Sequence, residues 1–275
     1  MKRIKLIAFD LDGTLLKNNK ELTPRTLKAL GQASEAGICL VPTTGRLYDG
    51  VPEEIRALPF IRYVIAANGA QIYDAREERT LYRAEMNMDE VRQFFAYTRE
   101  VPAITGCYRG GQGFMARSDM EKMAAYTSEQ ALFLMMRRVY KPVENLEDFL
   151  FETGEPVQKL MLFFADLGER KRILRDMKVS LSGLAVTSSV ANNIEVNARE
   201  ANKGAALRYL WEYLGIERDE TAAFGDGSND ITMLLEAGTG YAMENACPEA
   251  KEAADRLAPS NEQEGVAFEI ERLLS

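Results

Sequence analysis

Asp10 and Asp12 stand two residues apart at the end of an apolar run, in Asp10-Leu11-Asp12-Gly13-Thr14. In extended chain that spacing points both carboxylates the same way, and Gly13 lets the backbone turn without a Cβ clash. Three further segments place polar groups where strands end or helices begin: Thr44 in Pro42-Thr43-Thr44-Gly45-Arg46, Lys203 in Asn202-Lys203-Gly204, and Asp226 with Asp230 in Gly225-Asp226-Gly227-Ser228-Asn229-Asp230. Hard anionic oxygens from Asp10 and Asp226 suit Mg²⁺ held by carboxylates, waters and phosphate. Lys203 offers a compact cation to a phosphoryl group, and the Thr44 hydroxyl with nearby backbone N–H groups suits its oxygens. A carboxylate can act as a covalent nucleophile. A second one beside it can protonate the leaving oxygen and later deprotonate water, provided its pKa is raised.

This division of labour needs no histidine, and the 275-residue chain has none. A Ser-His-Asp triad, a Cys-His pair and a His-ligated zinc are therefore excluded. Three cysteines make no disulfide framework, so a cytoplasmic protein with reduced thiols is expected. The formal charge of −8 argues against a diffuse basic surface for nucleic acid or an anionic membrane. No apolar run approaches the ~20 residues of a membrane helix; the longest are Ala131–Met136 and Leu160–Ala165.

The elements that must position these groups alternate. Ile4–Phe9 reads as a buried strand. Thr23-Pro24 opens a helix as N-cap and first helical residue, and Gly37 closes it. Strands follow at Ile38–Val41 and Tyr63–Ala67, the latter ending at Asn68-Gly69. After a Met- and aromatic-rich middle, Asn193–Val196 leads to Asn202-Lys203-Gly204 and a helix over Ala205–Leu214, and Thr221–Phe224 runs into the Asp226 loop. The alternation predicts an α/β fold: a Rossmann-like, doubly wound parallel sheet core split by an inserted α/β domain. The core is expected over 1–84 and 188–275, and the insert over 85–187. In such sheets ligands bind beyond the carboxyl ends of the strands, where residues distant in sequence converge.

The four segments, in this order, resemble the motifs of the haloacid dehalogenase superfamily, most closely its Cof-like phosphatases with a large α/β cap inserted after the second motif. Asn68-Gly69-Ala70 and the closing Ser260-Asn261-Glu262-Gln263-Glu264-Gly265-Val266-Ala267 are similar to that subgroup too, with Glu264 where it often has Asp. The resemblance implies Asp10 as nucleophile, Asp12 as general acid/base, and Thr44 and Lys203 as phosphate binders, with Gly45 and Asn68 beside them. Mg²⁺ would be held by Asp10, the backbone carbonyl of Asp12, and Asp226. Asn229 and Asp230 would support metal waters or the phosphoryl group. The substrate would be a small phosphorylated metabolite, a sugar phosphate or phosphorylated cofactor, entering between core and cap, with the cap closing over it. A monomer or homodimer is expected.

Competing readings of the same residues are weaker. Asp10, Asp12 and Glu21 have EF-hand spacing, but Leu15 stands where that loop needs glycine. Gly225-x-Gly227-x-x-Asp230 approaches a dinucleotide fingerprint, with an acid in place of its third glycine. None of Cys39, Cys107 and Cys247 has the arginine of a cysteine-phosphatase loop, and each reads as a small packing residue. Thr43 rivals Thr44 for the hydroxyl role. Arg109–Gln112 is either a plain cap turn or a substrate-selecting loop. A phosphomutase, or a non-enzymatic protein signalling through phosphorylated Asp10, are the alternative functions.

Overall fold

The computed structural model describes residues 3–123, 126, 137 and 139–275. The chain forms two compact units, one running up to Arg83 and resuming over Asn202–Ser275, the other spanning Ala84–Ala201.

The first unit opens with β1 (Leu6–Phe9), α1 (Pro24–Glu35) and β2 (Cys39–Pro42). The Thr23 side chain accepts from the Thr26 N–H and caps α1, with Pro24 at its first position. A short helix α2 (Glu53–Arg56) leads to β3 (Tyr63–Ala66). β4 (Gln71–Asp74) follows and pairs antiparallel with β3, and β5 (Arg79–Arg83) pairs antiparallel with the outer side of β4.

The second unit contains α3 (Met88–Thr98), β6 (Ile104–Arg109), β7 (Gln112–Ala116), α4 (Arg117–Lys122), β8 (Tyr140–Val143), α5 (Leu146–Thr153), β9 (Lys159–Phe163), α6 (Leu167–Ser180), β10 (Leu184–Thr187) and β11 (Asn193–Ala198). Its sheet has the order β10-β11-β9-β6-β7-β8. All its pairs are antiparallel except β7 with β8. The expected return to the core at 188 is corrected by this sheet. β11 pairs with β10 and β9, so the chain leaves the second unit only at Ala201. Within the Met-rich stretch 120–140, Met123 is buried, and the run Ala131–Met136 lies outside the described residues.

Back in the first unit come α7 (Lys203–Tyr213), β12 (Thr221–Gly225), α8 (Ile231–Glu236), β13 (Thr239–Met243), α9 (Pro248–Ala253), β14 (Arg256–Ala258) and α10 (Gly265–Leu274). The parallel sheet has the order β14-β13-β12-β1-β2. β1, an interior strand between β12 and β2, is buried throughout, as a strand covered on both faces must be. The register aligns Phe9 with Phe224 and Pro42, so the chain leaves β1, β2 and β12 at one rim, at Asp10, Thr43 and Asp226. β3 runs beside the exit of β2 through a parallel bridge between Thr43 and Ile65.

Candidate active site

Asp10 follows β1 directly, and its N–H donates to the Phe224 carbonyl at 3.0 Å, extending the ladder by one residue. Asp226 follows β12. Lys203 is the first residue of α7, placed by the Asn202 side chain, which accepts from the Ala205 N–H at 2.8 Å. The Lys203 Nζ donates to Asp10 Oδ1 and to Asp230 Oδ1, both at 2.6 Å. Asp230 Oδ2 accepts from the N–H groups of Asp226 (2.9 Å) and Gly227 (2.8 Å), which folds the loop back on itself. The Thr14 hydroxyl donates to Asp226 Oδ1 at 2.7 Å. Gly13 has φ +86°, and a Cβ there would stand 2.5 Å from Asp226 Oδ2. Only glycine allows the two loops to meet this closely.

One carboxylate oxygen each from Asp10, Asp226 and Asp230 lies within 4.8 Å of the others. Three buried or half-buried acids thus face one ammonium. Burial, above all, pushes the Asp10 carboxyl well above its usual range; Lys203 pulls it down, while Asp230, Asp226 and Asp12 push it up. Burial and then Asp230 push Asp226 up to about 6, against the Thr14 hydroxyl and Lys203. Burial disfavours the Lys203 ammonium, yet Asp10 and Asp230 outweigh it and hold the lysine more firmly protonated than usual. This crowding of hard oxygen donors with excess negative charge fits a divalent cation such as Mg²⁺.

Asp12 does not join that cluster through its side chain. The Arg46 fork grips it, Nε to Oδ2 and Nη2 to Oδ1, both at 2.8 Å, and Lys20 Nζ lies 3.0 Å from Oδ1. Burial alone would raise Asp12, but Arg46 and Lys20 prevail and hold its carboxyl below the ordinary range. The raised pKa expected for an acid/base residue is therefore corrected: its two cationic neighbours favour the carboxylate.

The remaining expected residues cluster behind β2 and β3. The Thr44 N–H donates to the Ile65 carbonyl at 2.8 Å, its carbonyl accepts from the Asn68 N–H at 3.0 Å, and its hydroxyl accepts from the Arg46 N–H at 3.2 Å. Thr43 instead turns its hydroxyl back onto the Val41 carbonyl, at 3.1 Å. Gly45 sits between Thr44 and Arg46 in this turn. Asn68 accepts a hydrogen bond from Asn229 Nδ2 at 3.1 Å. Ala67, Asn68 and Gly69 all have positive φ, at 50°, 59° and 95°. Such a run of left-handed residues costs free energy and persists only where its surroundings enforce it.

Sequence reasoning missed three contributors. Thr14 and Arg46 lie inside the quoted motifs, so their motif positions were the available signal. Asn245, whose Nδ2 donates to the Gly13 carbonyl at 2.8 Å, carries no local signal at all. Conversely, Arg109 is committed inside the second unit. It bonds the Thr153 hydroxyl, pairs with Glu155 at 3.4 Å and lies over the Phe149 ring at 4.2 Å. Gly110 and Gly111, both at positive φ, make its turn a hairpin between β6 and β7.

The profile of the haloacid dehalogenase-like hydrolases matches residues 7–270. Phosphatase YwpJ of Bacillus subtilis is 32% identical, covering 98% of this chain and 100% of its own length. The 5-amino-6-(5-phospho-D-ribitylamino)uracil phosphatase YwtE of the same organism is also 32% identical, covering 99% of each. The solved structure of a haloacid dehalogenase-like hydrolase from B. subtilis superposes with a TM-score of 0.84 at 28% identity, covering 98% of this chain and 100% of that one. No helix among the described residues is long and apolar enough to cross a membrane. Fold, ordered motifs and full-length similarity agree: the chain belongs to the haloacid dehalogenase-like hydrolases, in their Cof-like phosphatase branch.

Proposed function

We propose that the protein is a Mg²⁺-dependent phosphatase of small phosphorylated metabolites, working through an aspartyl-phosphate on Asp10. The observation that carries this reading is the Lys203 ammonium bridging Asp10 and Asp230, with an Asp226 carboxylate oxygen within 4.8 Å of both acids. Asp10 and Asp226, with the backbone carbonyl of Asp12, would hold the cation, and Asp230 would support them. When bound, the cation neutralises charge on the phosphoryl group and offsets the repulsion among the acids.

Asp10 attacks phosphorus in line, forming an O–P bond as the bond to the leaving oxygen breaks. Lys203, with Thr44 and the loop N–H groups, stabilises the charge spread over the phosphoryl oxygens. Asp12 supplies a proton to the leaving alkoxide and then takes one from the water that cleaves the acyl-phosphate. The clasped carboxylate suits the second task. For the first, the phosphoryl dianion competes for Arg46 and Lys20 and raises Asp12 by its own charge. Positioning and charge neutralisation supply most of the rate, as no histidine is available.

The test is a screen with Mg²⁺ against phosphorylated metabolites, including sugar phosphates, phosphorylated cofactor precursors and the ribitylaminouracil phosphate named for one relative. Release of free phosphate that stops with EDTA and returns with Mg²⁺ is the expected result. Isomerised sugar phosphate would identify a mutase. A long-lived acyl-phosphate without turnover would identify a signalling protein.

A further inference from the structure

The closing segment Ser260–Gly265 lies outside the reacting groups, yet it reaches the nucleophile loop. Asn261 is 2% exposed, and its Nδ2 donates to the Leu16 carbonyl (3.0 Å) and to Asn18 Oδ1 (3.1 Å). Its backbone N–H donates to Asn245 Oδ1 at 3.0 Å. That bond settles the orientation of the Asn245 amide: the atom facing an N–H must be oxygen, so the other end presents N–H₂ to the Gly13 carbonyl, 2.8 Å away. Glu262 completes the set by accepting from the Asn18 N–H at 2.7 Å.

We propose that Asn261, Asn245 and Glu262 form a clamp that positions the Asp12–Asn18 loop for catalysis; the proposal rests on the phosphatase reading above. The chain of contacts is short. Gly13 lies between Asp12, whose carbonyl would face the cation, and Thr14, whose hydroxyl holds Asp226 Oδ1 at 2.7 Å. Fixing the Gly13 carbonyl fixes the peptide that joins it to Thr14, and so the distance between the two acidic loops. Fixing Leu16 fixes the far side of the same turn, because the Leu16 N–H returns to the Leu11 carbonyl at 2.9 Å and the Leu15 N–H to Asp10 at 3.2 Å. At Gly13 itself, with positive φ and no Cβ, no side chain restrains the backbone. These three residues touch no reacting atom; they are positioning residues.

Asn245 separates this role from mere stability, because its side chain is exposed. Asn245→Ala should leave the melting temperature near that of wild type. It should lower kcat by about tenfold with little change in KM, and raise the Mg²⁺ concentration for half-activation, since a misplaced group costs rate rather than binding. Asn261→Asp sets a carboxylate against the Leu16 carbonyl and should cost about 10²-fold in kcat. p-Nitrophenyl phosphate with Mg²⁺ is the probe. Amide hydrogen exchange at Leu15 and Leu16, on the full chain, is the second readout. Faster exchange there in Asn245→Ala, with exchange in β1 unchanged, supports the clamp. Unchanged kcat, Mg²⁺ response and exchange in Asn245→Ala overturn it. A wild-type protein that releases no phosphate from any substrate sinks the phosphatase reading instead, and the exchange readout then decides alone whether the clamp exists.

Discussion

Among the described residues two lysines are withdrawn from solvent, Lys203 at the rim of the parallel sheet and Lys159 in the antiparallel sheet of the second unit, at 0% and 1% exposure. Lys159 Nζ meets Glu195 Oε1 at 2.9 Å and stands 5.0 Å from the centre of the Tyr108 ring. The same Glu195 oxygen accepts from the Ser189 hydroxyl at 2.9 Å and from Asn193 Nδ2 at 3.3 Å. Register explains the meeting: Lys159 opposes Tyr108 on β6, while Glu195 opposes Met161, two residues along β9 on the same face. There one carboxylate meets one ammonium, and neutral hydroxyl and amide groups also bond the acid. Around Lys203 three carboxyl groups share one ammonium, and two of them are raised. A balanced buried pair is complete within the fold; an unbalanced one is left short of a positive charge that a ligand can bring.

The sharpest way to break this contrast is to remove charge from each cluster in turn. Asp10→Asn should abolish turnover, by about 10³-fold or more, while folding survives, because it removes one of three crowded acids. Single-turnover phosphate release with a parallel thermal melt measures both. A rate within tenfold of wild type would discard Asp10 as the nucleophile.

Lys159→Met should do the reverse. It leaves Glu195 as an uncompensated buried charge and should cost about 3–5 kcal/mol in urea unfolding, whereas Lys159→Met combined with Glu195→Leu should recover most of that loss. A single substitution costing under about 1 kcal/mol would show that the pair is not the balanced unit drawn here.

The two clusters were not equally legible. Asp10, Lys203, Asp226 and Asp230 could be read because each sits at a strand end or helix start within an ordered motif, and strand ends of a parallel sheet share one rim. Lys159 and Glu195 could not, since they are 36 residues apart and only the pairing of β9 with β11 puts them on one face. The same limit explains the misplaced domain return. Asn193–Ala198 is fully buried β-prone sequence, and local pattern does not say which sheet such a strand joins. The Asn245 contact across 232 positions is likewise a tertiary fact. The parallel core, α1 with its Thr23 cap and the helix at Lys203 are local facts, and these were readable.

Charge imbalance also has a pH signature. Asp226 has its folded pKa pushed up to about 6 from 3.8, and Asp10 moves the same way. Folded protein therefore binds protons more tightly than unfolded protein across that interval, so metal-free stability should fall as pH rises from about 4 to 6. Asp12 and Asp74, both lowered, act in the opposite sense but below 3.8. EDTA-treated protein should thus melt several degrees lower at pH 7 than at pH 5, and Mg²⁺ should restore the difference at pH 7, where Asp226 is ionised. A melting temperature indifferent to both pH and Mg²⁺ would mean the acids do not repel one another.

The smallest effect concerns a third cluster, whose imbalance is opposite in sign. Asp12 is one carboxylate between two cations, Arg46 and Lys20, beside the acid-rich cluster it helps to repel. Excess positive charge next to excess negative charge is what a phosphoryl dianion and a divalent cation, bound together, would neutralise. Arg46→Lys keeps the charge but loses the two-pronged fork, and a point cation cannot replace both bonds. Asp12 should then rise towards the ordinary carboxylate range, and the acidic limb of the kcat/KM profile should move to higher pH. Because Lys20 remains, the rate at neutral pH should drop only a few-fold. Asp12's share of acid sensitivity should also shrink, since a lowered carboxylate stabilises the fold above its unfolded pKa and loses that contribution as pH falls through the folded one. A pH–rate profile of the variant that overlays wild type would show that the Arg46 grip is released before catalysis, and that the excess positive charge serves the phosphoryl group alone.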